Sequence, residues 1–345
     1  MFGLFNRKKP EPHLRKGVEI GEMRDNALST VARLAELGGE IHSFRQTESD
    51  MAEVRYKDLN IQLPVVGNLL SLRLHTSIDQ CNIRLCNTVS EKAFAYRCID
   101  HVCTTCEGVR AFFDPLSGAL TLGVQSAGFD EQFRADTLID VALFMLEEGV
   151  MEARKYLGLP FTEAERPRVT QWQGGFHYGE GFRTFATATE AFAHFMERKY
   201  QSREVTRDAT SILLESGPVQ YDVRFFGWRF GYMVTTATRG FKHAYTDDER
   251  YVSIQERLAC PVQSREPHSE LTWNFRSPEL SAIAYFQPDG TFVLGEYGFG
   301  NVNTDKNGTV FERVAGAQML NVKFMTFLAE ELPDELYSDE SNRPN

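Results

Sequence analysis

The chain has no apolar run approaching the roughly 20 residues that a bilayer-spanning helix requires, so no transmembrane segment is expected. It lacks the short motifs that announce common chemistries. There is no GxSxG nucleophile elbow, no GxGxxG or GxxxxGKS/T phosphate loop, and no HExxH zinc helix. Positive charge is also scarce: 37 Lys and Arg stand against 48 Asp and Glu, for a formal net charge of −11. An acidic surface repels phosphate backbones, so nucleic acid is not expected as a partner. The opening residues, MFGLFNRKKPEPHLRKG, have neither the longer apolar run nor the small-residue cleavage site of a secretory signal. A cytoplasmic, reduced environment is therefore the expectation for the six cysteines.

What is present suits a globular α+β protein of more than one unit. A length of 345 residues accommodates two domains of ordinary size. Hydrophobic content of 42% with 25% charged residues is a globular composition, and 26 Phe imply a ring-rich core. The N-terminal tip sets Phe2, Leu4 and Phe5 before Arg7, Lys8 and Lys9. Such a tip can touch an anionic membrane weakly, or fray in solvent as a tail over residues 1–22. Residues 333–345 read as an acidic tail.

Between the tails the landmarks occur twice. Residues 23–37 space Leu28, Val31, Ala32 and Ala35 as a helix, and Gly38-Gly39 stops it. Three alternating runs follow, at 54–56, 59–65 and 69–75. TVSE (88–91) is a capping box that opens a helix to about Cys106. AFFDPLSGALTLG (111–123) reads as a hairpin, and a helix from about Phe133 to Glu148 closes the unit.

After an irregular stretch at 156–185, TATE (187–190) opens a new helix carrying Phe192, Phe195 and Met196. A further helical stretch is expected to end at SILLESG (211–217), mirroring ARLAELG (32–38) and pairing Gly217 with Gly38. Strands follow at 219–225 and 228–234. Residues 251–262 are ambiguous and are read as strand, and 269–275 as a short helix. AYFQPDGTFVLG (284–295) repeats the hairpin before a helix from about Val310 to Glu331.

Ordered agreement of several elements points to an internal duplication. The expected fold is two tandem α-β-β-β-α-β-β-α units, residues 23–155 and 186–332, joined by a linker at 156–185. The closing helices are apolar on more than one side, which predicts that each covers its own sheet and meets the other unit, giving a pseudo-dimer from one chain.

This order resembles the type III secretion chaperone-like fold. VRAFFDPLSGALTLGV (109–124) and WNFRSPELSAIAYFQPDGTFVL (273–294), each followed by a Leu-rich helix, resemble the YbjN family of bacterial proteins, also called bacterial sensory transduction regulators. The resemblance covers about half of each unit. It implies a bacterial, acidic, non-catalytic protein that holds a client segment on its surface.

The residues themselves offer few chemical candidates. Cys98-x-x-His101-x-Cys103-x-x-Cys106 contains a CxxC spacing suited to zinc or redox work. On the helix opened by TVSE, however, Phe94, Cys98, Val102 and Cys106 form one apolar stripe, where free Cys acts as a small hydrophobe. No metal or other cofactor is expected. In the linker, GGFHYGEGF (174–182) suits a flexible or partner-contacting segment, and Trp172, Phe176, His177 and Tyr178 are its candidate partner-binding residues. The function expected is binding of a protein client. The rival is an enzyme or small-molecule sensor with a pocket between the units.

Overall fold

The computed structural model of the chain describes residues 33–45, 50–65, 71–127, 135–167, 176–178, 183–216, 219–226, 231–238, 242–259, 262–263, 272–273, 282–299, 311–312 and 314–316. The architecture is α+β, with two six-stranded antiparallel sheets of matching topology.

The first sheet comprises β1 (Glu40–Arg45), β2 (Asp50–Tyr56), β3 (Leu59–Val65), β4 (Ser71–Asn82), β5 (Val109–Phe113) and β6 (Ala119–Ala127), in the order β1-β2-β3-β4-β6-β5. Helix α1 (Val89–Thr105) separates β4 from β5, and α2 (Ala135–Tyr156) follows β6. A hairpin, β7 (Phe176–Tyr178) and β8 (Arg183–Phe185), precedes α3 (Ala188–Tyr200). The second sheet then comprises β9 (Arg203–Arg207), β10 (Ser211–Ser216), β11 (Val219–Phe226), β12 (Gly231–Thr238), β15 (Ala282–Phe286) and β16 (Phe292–Phe299), in the order β9-β10-β11-β12-β16-β15. Helices α4 (Lys242–Thr246) and α5 (Asp248–Ala259) and the strand pair β13 (Val262–Gln263) and β14 (Thr272–Trp273) lie between β12 and β15.

Register makes the repetition residue-specific. His75 faces Gly123 across β4 and β6, and Thr235 faces Gly295 across β12 and β16. Gln62 faces His75 in the first sheet as Asp222 faces Thr235 in the second. The two units thus form a pseudo-dimer within one chain.

Several sequence expectations are corrected. Each unit sends four strands, not three, ahead of its middle helix, because β1 and β9 carry little apolar alternation. All five residues of β9 are exposed. SILLES is a strand, not a helix end: Ile212 and Leu214 are buried on the core face while Leu213 points the other way, so consecutive apolar residues hid a period of two. Residues 248–259 are helical, with Tyr251, Val252, Ile254, Gln255 and Leu258 buried at helical spacing despite their strand-like composition. Thr272 and Trp273 pair as strand with Val262 and Gln263, where a short helix was expected.

Gly217 lies outside the described residues, and Gly38 has a different counterpart. Gly38 ends a helical turn at φ +93° just before β1; Gln201, at φ 52°, caps α3 in the left-handed conformation just before β9. The two helix starts marked by capping patterns were read correctly. Thr88 and Glu91 form a reciprocal capping box on α1, and Thr187 accepts from the Glu190 amide at the start of α3.

Each sheet turns one face to helices. In the first unit Leu74, Ile78, Leu120, Leu122 and Val124 meet α1 and α2, including Ile99, Val102, Val141 and Met145. In the second, Ile212, Leu214, Val223, Phe225 and Val234 meet Phe192, Phe195 and Met196 of α3 together with Phe311 and Val314. The first core continues without a break into Tyr251, Ile254, Leu258, Phe286, Phe292 and Leu294 of the second unit. The joint is built by the middle helices, where α1 packs on α5 and on β15, and by the hairpins, where β5 and β6 meet β15 and β16. Gly108 marks how close this contact is. It sits at φ +87°, and a Cβ there would fall 2.5 Å from Met145 Cε and 2.7 Å from Tyr297 Cδ2.

Candidate functional site

At the joint, α1 meets the second unit through a buried polar cluster. Asp100 of α1 is only 2% exposed. Its carboxylate accepts hydrogen bonds from the Tyr251 hydroxyl, from the Phe286 amide at 3.0 Å and from Gln255 Nε2 at 3.4 Å. Gln255 Nε2 also donates to the Tyr251 hydroxyl at 3.0 Å. Every partner of Asp100 named here donates, which suits an acceptor-only carboxylate.

One turn earlier, the Arg97 guanidinium donates to Asp248 Oδ1 at 2.7 Å and to the Tyr245 carbonyl at 3.1 Å. It also lies over the Tyr251 ring at 5.1 Å. Partial burial disfavours the Arg97 charge, but the bond and charge of Asp248 more than offset this and raise its pKa. Lys92 with Glu256, at 2.7 Å, closes the outer end. These groups satisfy one another and fix how the two units sit.

Beside this joint is a cavity of about 600 Å³. Its floor is the face of the second sheet that points away from α3. Leu213, Met233, Ala237, Val293 and Tyr285 supply apolar surface, and Asp222, Arg224, Thr235 and Gln287 supply polar groups. Thr104 and Glu107, at the end of α1, form a wall from the first unit. The alternation of each strand puts these side chains on one face. Val223 and Val234, between cavity residues, are fully buried on the core side.

Arg224 bridges the units at the cavity. Its Nη1 donates to Glu107 at 2.8 Å and its Nε to Asp222 Oδ2 at 3.0 Å. Partial burial works against the guanidinium charge, but the bonds and charges of Asp222 and Glu107 outweigh it, so its pKa stands above the ordinary value. Burial pushes the Tyr285 phenol far up, with Cys103 adding to the effect and Arg224 opposing it. Both shifts move these groups away from titration near neutrality, so neither is poised as a general acid or base at neutral pH.

The predicted cysteines and His101 lie elsewhere. Cys98, Cys103 and Cys106 are buried among the apolar residues of the core. His101 is half-exposed on another side of α1, 3.4 Å from Glu152 and against the Tyr156 ring. Burial, with nearby Cys81 adding to it, pushes the Cys98 thiol far up, and burial raises Cys81 to about 11, so both stay neutral thiols near pH 7. Among the described residues, no three His, Cys, Asp or Glu side chains converge as a metal site.

Phe176, His177 and Tyr178 form β7, paired to β8 with His177 opposite Thr184, and β7 packs near α3. Trp172 lies outside the described residues. Asp222 and Arg224 were legible as the polar side of VQYDVRF, but nothing local revealed that the side faces another unit. Among the described residues no helix is long and apolar enough to cross a membrane. The chain matches no family model, and a search of curated proteins returns no match to it.

Proposed function

We propose that this chain is a non-catalytic binding protein whose second sheet, beside the joint between the units, receives a segment of a client protein. The observation that carries the reading is the cavity of about 600 Å³, walled by both units and floored by a sheet face with alternating side chains. A sheet face and its rim suit an extended segment, whose own side chains alternate with the same period. The charged groups at the rim are already engaged with one another through Arg224, an arrangement that serves recognition better than proton transfer. The resemblance of residues 109–124 and 273–294 to the YbjN family and to chaperone-like folds agrees with this reading. So does the acidic charge, and a cytoplasmic, bacterial setting belongs to the same proposal.

The volume also falls within the roughly 300–1,000 Å³ typical of small-molecule sites, which keeps a small-ligand sensor as the second reading. A photo-crosslinking side chain placed at Leu213, on the cavity floor, separates the two. The control position is Leu116, which is 85% exposed at the tip of the β5–β6 turn. A discrete protein adduct from position 213 and none from 116 in native lysate supports a client. Absence of any adduct at 213, with thermal stabilisation by a small-molecule extract, supports the sensor instead.

A further inference from the structure

Resting on the reading of the cavity as a client site, we infer that the client segment lodges an uncharged side-chain amide, from Asn or Gln, against Tyr285 and Gln287, with apolar residues on either side of it. Two observations carry this. First, Tyr285 is a polar side chain that the fold buries without serving. It is 7% exposed and lines the cavity. It pairs in register with Val293, which pairs in turn with Ala237, and all three line the cavity from one face of the sheet. The Tyr285 hydroxyl makes no hydrogen bond among the described residues. A buried phenol hydroxyl usually finds a partner, and one left unserved weakens the fold rather than supporting it. Burial is the chief cause that drives its pKa up, so it stays an O–H donor throughout the physiological range. The cavity is the side from which an acceptor can reach it.

Second, Gln287 stands two residues further along the chain, about 7 Å away at the backbone, and also lines the cavity. Its backbone amide and carbonyl are held in the turn by Thr291 and Gly290. Its side-chain amide makes no hydrogen bond among the described residues. A hydroxyl donor and an amide with both donor and acceptor therefore border the same space.

A carboxamide matches this pair, since its carbonyl can accept from Tyr285 while its NH2 donates to the Gln287 side-chain carbonyl. Other side-chain classes fit less well. An ammonium has no acceptor for the phenol. A carboxylate would carry an isolated charge out of water, and a hydrocarbon would leave the hydroxyl unserved. Val293 and Ala237, in the row beside Tyr285, suit apolar neighbours that an extended segment offers at its own two-residue step.

The test uses the full chain and four labelled ten-residue peptides of alternating valine and serine. They are identical except at one central serine, changed to glutamine, leucine, glutamate or lysine, and binding is read by fluorescence anisotropy. The glutamine peptide is expected to bind about fivefold tighter than the other three. Tyr285→Phe removes the hydroxyl and keeps the ring. It is expected to abolish that preference, a loss of about fivefold for the glutamine peptide, and to leave the leucine peptide unchanged. The same variant should keep the urea unfolding midpoint of the parent chain, because the hydroxyl serves no partner within the fold.

Equal binding of the four peptides, or a glutamine preference that survives Tyr285→Phe, overturns the inference and leaves the cavity as a client site. A clear fall in the urea midpoint also overturns it, since the hydroxyl then serves the fold. Where no peptide binds but a client adduct forms from position 213, the crosslinked segment decides: an Asn or Gln within it supports the inference, and a segment without either overturns it. No peptide binding and no adduct from position 213 overturns the client reading and this inference together.

Discussion

Replacement of Asp100 by alanine tests whether the polar cluster holds the two units together. Removing the carboxylate takes the acceptor from the Tyr251 hydroxyl and from the Phe286 amide at 3.0 Å, and weaker contact from Gln255 at 3.4 Å. Hydrogen bonds to a charged group contribute about 1.5–3 kcal/mol each, and buried donors stripped of their acceptor lose their desolvation as well. Two good bonds therefore set the loss at about 4 kcal/mol, the range seen when one partner of a buried charged arrangement is deleted. Asp100→Asn keeps the volume but turns an amide donor toward other donors, so it is expected to recover less than half of the loss. Urea unfolding of the purified chain gives the magnitude. Hydrogen exchange at the Phe286 amide gives the location, and it should quicken selectively against amides of β2 and β3. A loss below about 1 kcal/mol, or unchanged protection at Phe286, would refute the argument that this cluster orders the joint.

Other expectations follow from single observations. Gln201 caps α3 at φ 52°, a conformation that glycine adopts without a Cβ penalty, so Gln201→Gly should stabilise the chain by about 0.5–1 kcal/mol in the same urea assay. Asp248 has its pKa depressed, first by the hydrogen bond from Arg97 and then by that from Ser90, although slight burial opposes both. A depressed carboxylate pKa stabilises the fold above the unfolded value of about 3.9 and loses that contribution as pH falls through the folded value. Asp248→Asn should therefore weaken the chain near pH 7 and flatten its acid denaturation below about pH 4, measured as stability against pH. Of the five cysteines in the described residues, only Cys86 is not buried. Iodoacetamide at neutral pH, followed by mass spectrometry, should modify Cys86 well before Cys81, Cys98, Cys103 or Cys106, and equal labelling of Cys98 would contradict the burial of its thiol, which points at the Ala153 carbonyl at 3.9 Å.

The parts legible in the sequence are those governed by neighbours along the chain. Thr88 with Glu91 and Thr187 with Glu190 fixed helix starts, since a cap is a contact three residues long. The two hairpins around Ala111 and Ala284 were readable from alternation and turn residues, and the repeated order of elements disclosed the duplication. Alternation failed where both faces of a strand meet apolar surface, as at Ile212-Leu213-Leu214. It also failed where strand-like residues lie on a helix, as at Tyr251, Val252 and Ile254, because tertiary burial outweighs local propensity.

The composition and period of the chain thus determined its class, its duplicated plan and the burial of the cysteines on α1. Only the tertiary structure decided that Asp100 meets Tyr251, and that Glu107 meets Arg224, 117 residues away in sequence. Those contacts arise from the packing of one unit on the other. A polar residue on the outer side of a strand carries the same local pattern whether it faces water or a neighbouring unit, so its role at the cavity is set by what the fold brings opposite to it.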